Sequence, residues 1–354
     1  MMNAFTGWEK RPFIISGPCS AETEYQVLET ARRLAATDKV DLMRAGIWKP
    51  RTKPGMFEGV GAIGLSWLQQ AKKETGLPIT VEVATARHVE EALQHEVDVL
   101  WIGARTTVNP FSVQEIADAL VGVNVPVLIK NPINPDLELW SGAIERIRKA
   151  GIEKIGLIHR GFSSYANTEY RNAPMWQLPI EMKRRFSDML LICDPSHICG
   201  NRTLLQQVAQ KSIDLDFSGL MIESHIDPDH AWSDASQQIT PEQLNTMLQN
   251  LVWRSVKNED AAFISALQKL REQVDQLDDE LLSLMAQRMK MADKIGIYKK
   301  ENQMTILQTE RFNAILQRAF AKADQLGLSR EFIQRYFDAV HMESINHQNN
   351  VMNG

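Results

Sequence analysis

Cys19, His197, Glu223 and Asp234 offer a thiolate, an imidazole and two carboxylates. That mixed donor set suits a divalent transition metal and leaves coordination positions open for substrate. Cys19 follows Gly17-Pro18, His197 closes the string Asp194-Pro195-Ser196-His197, and Glu223 ends an apolar run. A second set is cationic: Arg44, Lys49, Arg51, Arg105, Lys130 and Arg160. Guanidinium forks and ammonium points are the groups that hold phosphate and carboxylate ligands. The chain around them is acidic, with 39 Lys and Arg against 44 Asp and Glu and a net charge of −5. The cations are therefore a local feature, and neither nucleic acid nor a membrane surface is an expected partner. A Lewis acid beside an anion pocket points to condensation of phosphorylated substrates, the metal polarising a carbonyl.

These residues share a position, since each ends or follows a short apolar run. The runs are Phe13–Ser16, Asp41–Arg44, Ile79–Val83, Val99–Ile102, Val125–Lys130, Ile155–His159, Met189–Cys193 and Leu220–Glu223. Between them lie helix-like stretches, among them Glu24–Ala36, Gly64–Glu74, Val113–Leu120, Leu137–Lys149, Thr203–Lys211 and Thr240–Leu251. Eight strand–helix units in about 250 residues favour an α/β fold of the (β/α)8 barrel type over an open sheet. A barrel gathers chemistry at the C-terminal ends of its strands, and strands 7, 8 and 1 adjoin where it closes. Cys193 lies within a run and is expected in the core; Cys199 is expected to pack. Three cysteines in 354 residues fit a reducing, cytoplasmic setting. No apolar run approaches the ~18 residues of a membrane span. Met1–Lys10 has neither the basic start nor the apolar centre of a signal peptide.

The motifs resemble the type I 3-deoxy-D-arabino-heptulosonate 7-phosphate (DAHP) synthases, closest to the short form. The resemblance rests on Gly17-Pro18-Cys19-Ser20, Arg44-Ala45-Gly46, Lys49-Pro50-Arg51-Thr52, Gly103-Ala104-Arg105, Asp194-Pro195-Ser196-His197 and Gly219-Leu220-Met221-Ile222-Glu223. It implies condensation of phosphoenolpyruvate with erythrose 4-phosphate, the first step of the shikimate pathway. On that resemblance Cys19, His197, Glu223 and Asp234 hold a divalent metal (Mn, Fe, Co or Zn). Arg105, Lys130 and Arg160 hold phosphoenolpyruvate with Arg44 and Lys49 nearby, Arg51 and Thr52 hold the erythrose phosphate, and Lys49 protonates the new hydroxyl. Three stretches depart from the family pattern: Lys53-Pro54-Gly55-Met56, Thr106-Thr107-Val108 and Asn131-Pro132. An octulosonate 8-phosphate synthase is the nearest alternative, but that family carries an Ala-Asn-Arg type motif where Pro50-Arg51-Thr52 stands.

After Arg254 the pattern changes, which sets domain boundaries at 1–255 and 256–354. From Lys257 on there is no proline, and Leu270, Val274, Leu277, Leu281, Leu284, Arg288, Met291, Ile295 and Tyr298 follow a 4-3-4-3 spacing. That is the seam of a long helix packed on another, expected over Glu259–Lys300, with further helices over Glu310–Asp324 and Ser329–Asn346. Arg288 is a cation on an apolar seam and calls for an anionic partner or ligand. On a straight helix Arg288 and Lys299 lie about 16 Å apart, whereas Arg271 and Lys299 are about 42 Å apart and cannot grip one small molecule. Arg271 is therefore expected to serve a site in a second copy, giving an antiparallel homodimer with composite sites.

This tail resembles the all-helical chorismate mutases through Leu270-Arg271, Leu277-Asp278, Arg288, Ile295-Gly296, Lys299, Glu310-Arg311, Ser344 and Gln348. The resemblance implies rearrangement of chorismate to prephenate. Arg271, Arg288 and Arg311 would bind the two carboxylates, Lys299 and Gln348 would donate to the ether oxygen, and Ser344 would touch the hydroxyl. Gln308 stands where many members have an acid, and Phe312 where many have a glutamate that meets the substrate hydroxyl. The competing reading is a dimerisation or regulatory tail with weak or no catalysis. The barrel motifs begin so close to Met1 that no separate regulatory segment is expected. Feedback control by prephenate or chorismate is therefore expected to act through the helical part.

Overall fold

The computed structural model describes residues 8, 11–50, 55, 57–165, 168–254 and 258–354. It divides into two compact units, Met1–Val256 and Lys257–Gly354. Among the described residues of the first unit, eight parallel strands close into a barrel in sequence order. They are β1 (Phe13–Gly17), β2 (Leu42–Arg44), β3 (Ile79–Val83), β4 (Val99–Ile102), β5 (Val127–Lys130), β6 (Ile155–His159), β7 (Leu190–Cys193) and β8 (Gly219–Glu223). Around them run α1 (Glu24–Ala35), α2 (Ile63–Thr75), α3 (Ala86–Gln94), α4 (Ala104–Thr107), α5 (Pro110–Ala119), α6 (Leu137–Lys149), α7 (Gln177–Arg185), α8 (Pro195–Cys199), α9 (Leu205–Asp214) and α10 (Pro241–Asn250). The expected barrel is what the chain forms.

Alternation along the strands separates two cores. Phe13, Ile15, Leu42, Val99, Trp101, Leu128, Ile158, Ile192 and Met221 fill the interior, with Trp8 against one end. Ile14, Met43, Val81, Leu100, Ile129, Leu157 and Leu220 face outward into the helix layer. Both strand faces are buried, which is why each strand reads as an unbroken apolar run. Cys193 and Cys199 both belong to this outer core, as packing residues. Barrel closure pairs β1 with β8 so that Gly17 lies opposite Glu223. That register brings two chain segments two hundred residues apart to one rim.

The second unit holds α11 (Ala261–Glu301), α12 (Thr309–Leu326) and α13 (Arg330–Asn353). Asp260 caps α11, accepting from the backbone N–H groups of Ala262 and Phe263, and Ser329 caps α13. Gly327 ends α12 in the left-handed conformation. At 41 residues, α11 is about 60 Å long. Its C-terminal half packs on α13, burying Met289, Ala292, Gly296 and Lys299. Along its N-terminal half, Leu270, Val274, Leu277, Leu281 and Leu284 are 51–60% exposed. No described helix is long and apolar enough to cross a membrane.

Candidate active sites

At the barrel rim, Gly17 has φ +147° and an added Cβ would sit 2.0 Å from the Arg44 carbonyl oxygen. Only glycine lets β1 pass β2 this closely and turn Cys19 inward. Gly46 plays the matching part: a Cβ there would lie 2.4 Å from the Cys19 carbonyl oxygen and 2.9 Å from Lys49 Cδ. Lys49 Nζ uses that clearance to donate to the Cys19 carbonyl at 2.9 Å and to its Sγ at 3.0 Å. Cys19 Sγ in turn lies 3.2 Å from Asp234 Oδ2.

Ligand atoms of Cys19, Glu223 and Asp234 all fall within 4.8 Å of one another. His197 comes at their edge, Nε2 being 3.7 Å from Glu223 Oε1. Glu223 Oε2 accepts from Gln237 Nε2 at 2.7 Å, while Oε1 is buried with no hydrogen bond, 3.2 Å from Arg44 Nη2. A buried carboxylate oxygen left without a donor is costly unless a cation meets it. The thiol, imidazole and two carboxylates around that oxygen therefore fit a divalent metal. Burial, reinforced by the charges of Glu223 and Asp234 against those of Lys49 and Arg44, pushes the Cys19 thiol up to about 12. Loading a metal here releases a proton from sulfur.

Asp194 ties this set to the cations. Its Oδ1 accepts from the His197 backbone N–H at 3.1 Å, starting α8. Its Oδ2 lies 2.8 Å from both His197 Nδ1 and Lys130 Nζ. A carboxylate behind a ligating imidazole fixes the ring's orientation. Burial would raise the Asp194 carboxyl, but His197 and Lys130 hold it well below the usual range. Lys130 also lies over the Trp101 ring, 5.9 Å from its centroid, and Arg44 lies over the same ring at 5.1 Å. Burial lowers Lys130, against the pull of Asp194, and lowers Arg160 to about 10, which leaves it cationic at neutral pH. Arg160 donates through Nη1 to Asn172 Oδ1 at 2.7 Å, and Arg105 sits exposed on α4. Arg51 and Thr52 lie outside the described residues.

Several residues of this rim were not singled out from sequence. Asn172 joins Arg160 to the His197 carbonyl, to which it donates at 2.6 Å. Arg171 donates to Asp234 Oδ1 and Gln237 Oε1, both at 2.9 Å. Two of the departures from the family pattern serve the rim: Thr107 donates to the Lys130 carbonyl, and Asn131 accepts from the Arg160 backbone N–H. Asn172, Arg171 and Asn131 sit in loops or at a strand end and Thr107 closes the four-residue α4, where hydrophobic periodicity carries no signal.

The helical unit holds a cavity of about 230 Å³ lined by Arg288, Lys299, Gln308, Arg311, Phe312, His341, Ser344 and Gln348, among others. Arg288 Nη1 donates to Ser344 Oγ, which donates to the Val340 carbonyl at 2.7 Å. Lys299, 8% exposed, donates to the Ile306 carbonyl at 2.5 Å, and its burial lowers its pKa. Gln348 donates to the Ser344 carbonyl at 3.2 Å, leaving its Oε1 buried and unpaired. Arg271 is exposed, away from this cavity. One protomer thus brings together every expected mutase residue except Arg271.

Comparison with known proteins follows the same division. Residues 2–259 match the model of the DAHP synthetase I family, and residues 270–349 that of chorismate mutase type II. A phospho-2-dehydro-3-deoxyheptonate aldolase of Thermotoga maritima is 30% identical over 238 residues, covering 67% of this chain and 68% of that protein. A 2-dehydro-3-deoxyphosphooctonate aldolase of Nitratidesulfovibrio vulgaris is 27% identical over 259 residues, covering 68% and 91%. The crystal structure of a Thermotoga maritima DAHP synthase superposes with a TM-score of 0.60 at 29% identity, covering 67% of each chain. With the barrel, its rim and a separate helical cavity in place, the chain belongs to the DAHP synthetase I family and carries a type II chorismate mutase domain after the barrel.

Proposed function

We propose that the chain is a bifunctional shikimate-pathway enzyme whose barrel condenses phosphoenolpyruvate with erythrose 4-phosphate and whose helical unit rearranges chorismate to prephenate. The observation that carries this reading is the pairing of the two family matches with two separate sites. At the rim, Cys19, His197, Glu223 and Asp234 would hold a divalent metal (Mn, Fe, Co or Zn), which would supply Lewis-acid polarisation of the aldehyde. Lys130, Arg160 and Arg105 hold the phosphate and carboxylate of phosphoenolpyruvate; Asp194 fixes Lys130, and Asn172 fixes Arg160. Arg51 and Thr52 hold the phosphate of the sugar. C3 of phosphoenolpyruvate attacks the aldehyde carbon, water adds at C2, and phosphate leaves. Lys49, 3.0 Å from Cys19 Sγ, delivers its proton to the oxygen that becomes the new hydroxyl.

In the helical unit, Arg288 and Arg311 take the carboxylates, and Ser344 lies against the hydroxyl. Lys299 and Gln348 face the ether oxygen, where charge develops as the bond breaks; this is electrostatic stabilisation without proton transfer. The exposed seam on the N-terminal half of α11 fits an antiparallel homodimer, in which Arg271 completes the partner's site. Prephenate or chorismate bound to the helical dimer regulates the barrel.

The octulosonate relative shares the barrel, but Pro50-Arg51-Thr52 favours the four-carbon sugar phosphate. Both activities are to be assayed on Cys19→Ala and Lys299→Ala. Each variant is expected to lose one activity by at least about a hundredfold and to keep most of the other. A Lys299→Ala chain with full mutase activity would instead assign the helical unit to dimerisation or regulation alone.

A further inference from the structure

Two polar side chains lining the helical cavity, Gln308 and His341, have no part in the reaction just described, and of the two it is His341 that carries a buried atom without a partner. His341 lies on α13, three residues before Ser344, and lines the cavity. Its Nε2 is buried and makes no hydrogen bond among the described residues. Phe312 on α12 stacks on the imidazole with centroids 4.0 Å apart and planes 17° from parallel. Packing, not a hydrogen bond at Nε2, therefore sets how the ring faces the cavity. An imidazole nitrogen buried without a partner is costly, and a ligand that meets it recovers that cost on binding.

The surroundings define which ligand group this is. Arg288 and Lys299 from α11 face the ring, with Asp338 of its own helix on the other side of the balance. Burial and the two cations hold the imidazole below its ordinary value, so it is neutral at neutral pH. A carboxylate is drawn to Arg288, Arg311 and Lys299 in preference to a neutral ring. A hydroxyl suits a neutral imidazole nitrogen, which pairs with it as donor or acceptor according to tautomer. Ser344 cannot give its own proton to that hydroxyl without releasing the Val340 carbonyl, because its Oγ donates there and already accepts from Arg288. No Asp or Glu is among the described residues lining the cavity. Gln348 Oε1, the other unpaired atom, belongs to a residue about 10 Å further along the helix axis and serves another part of the ligand.

We propose that His341, through Nε2, binds the ring hydroxyl of the substrate in the helical site and selects for it. The inference rests on the mutase reading given above. In the full-length chain, wild type, His341→Phe and His341→Gln are assayed with chorismate and with an analogue lacking the ring hydroxyl. His341→Phe keeps an aromatic ring for stacking and loses the nitrogen. It is expected to lower kcat/KM for chorismate about tenfold, the worth of one hydrogen bond, while changing the analogue less than about twofold. His341→Gln places an amide near the position of Nε2 and is expected to recover most of the loss. Should His341→Phe fail to fold, as judged by circular dichroism, His341→Leu, which also lacks the nitrogen, takes its place with the same expected and the same overturning outcome. The proposal is overturned if His341→Phe changes both substrates alike, or if it leaves chorismate turnover intact. Wild type that converts neither compound would refute the mutase reading itself. A failure confined to the variants refutes only the role of His341.

Discussion

Asp194 serves three groups of His197 and Lys130 with two oxygens, and that economy explains why the rim is more tightly organised than its sequence discloses. Cys19, His197 and Glu223 could be read from their place at strand ends, because a barrel presents such residues together. Asn172, Arg171 and Gln237 could not, since each works through partners from 12 to 66 residues away that only folding brings near. His341 escaped for another reason: a lone histidine within a helix has no spacing to set it apart from a packing residue. His159 carries a prediction at this scale. Enclosed by Phe162, Trp176 and Phe217, it is held down to about 3 by burial, with Arg160 adding to the effect. The unfolded chain takes up a proton on this residue near pH 6.5 and the folded chain does not until about pH 3. Its contribution to stability is therefore complete above about pH 6.5 and falls by up to about 1.4 kcal/mol per pH unit as the medium is acidified. Urea unfolding of the barrel at pH 7.5 and pH 5 measures this, with His159→Phe as the reference. The variant's stability should fall less steeply; parallel pH profiles would rule the assignment out.

Elements were legible where burial was two-sided. All eight strands stand where apolar runs occur, within two residues at their ends, because parallel strands covered on both faces leave no polar alternation to confuse the reading. Helices α3 and α7 were implied by the count of eight strand–helix units but not delimited. Ala86–Gln94 has an apolar stripe of Val89, Ala92 and Leu93 but spans only nine residues, and Gln177–Arg185 carries Pro179 inside a polar stretch. The long helix α11 was found, because its seam is continuous even where its residues are exposed. That exposed half carries the second prediction. If Arg271 acts in a partner's site, chains bearing Arg271→Ala and chains bearing Lys299→Ala are each inactive as mutases. Mixed and allowed to re-equilibrate, they form heterodimers with one site carrying both lesions and one carrying none. Random pairing restores about a quarter of the wild-type sites. Mutase activity measured before and after mixing, with synthase activity as the loading control, decides the matter; an unrestored mixture means that Arg271 acts within its own chain or not at all.

At the scale of the molecule, the net charge of −5 conceals two concentrated anion sites, one at the barrel rim and one between helices. Regulation of one by the other is a coupling free energy and must be reciprocal. Saturating prephenate should therefore change the rate of the synthase reaction, and whatever factor it imposes on phosphoenolpyruvate affinity, phosphoenolpyruvate should impose on prephenate affinity. A synthase rate indifferent to prephenate, at concentrations that inhibit the mutase, would remove the regulatory reading and leave both catalytic ones standing. The exposed half of α11 adds something of a different kind. If Arg271 completes a neighbour's site, the mutase site exists only while two chains remain together, whereas the described rim residues all come from one chain. The two reactions on this polypeptide then differ in kinetic order in enzyme, and the flux ratio between an early and a late step depends on how much protein is present.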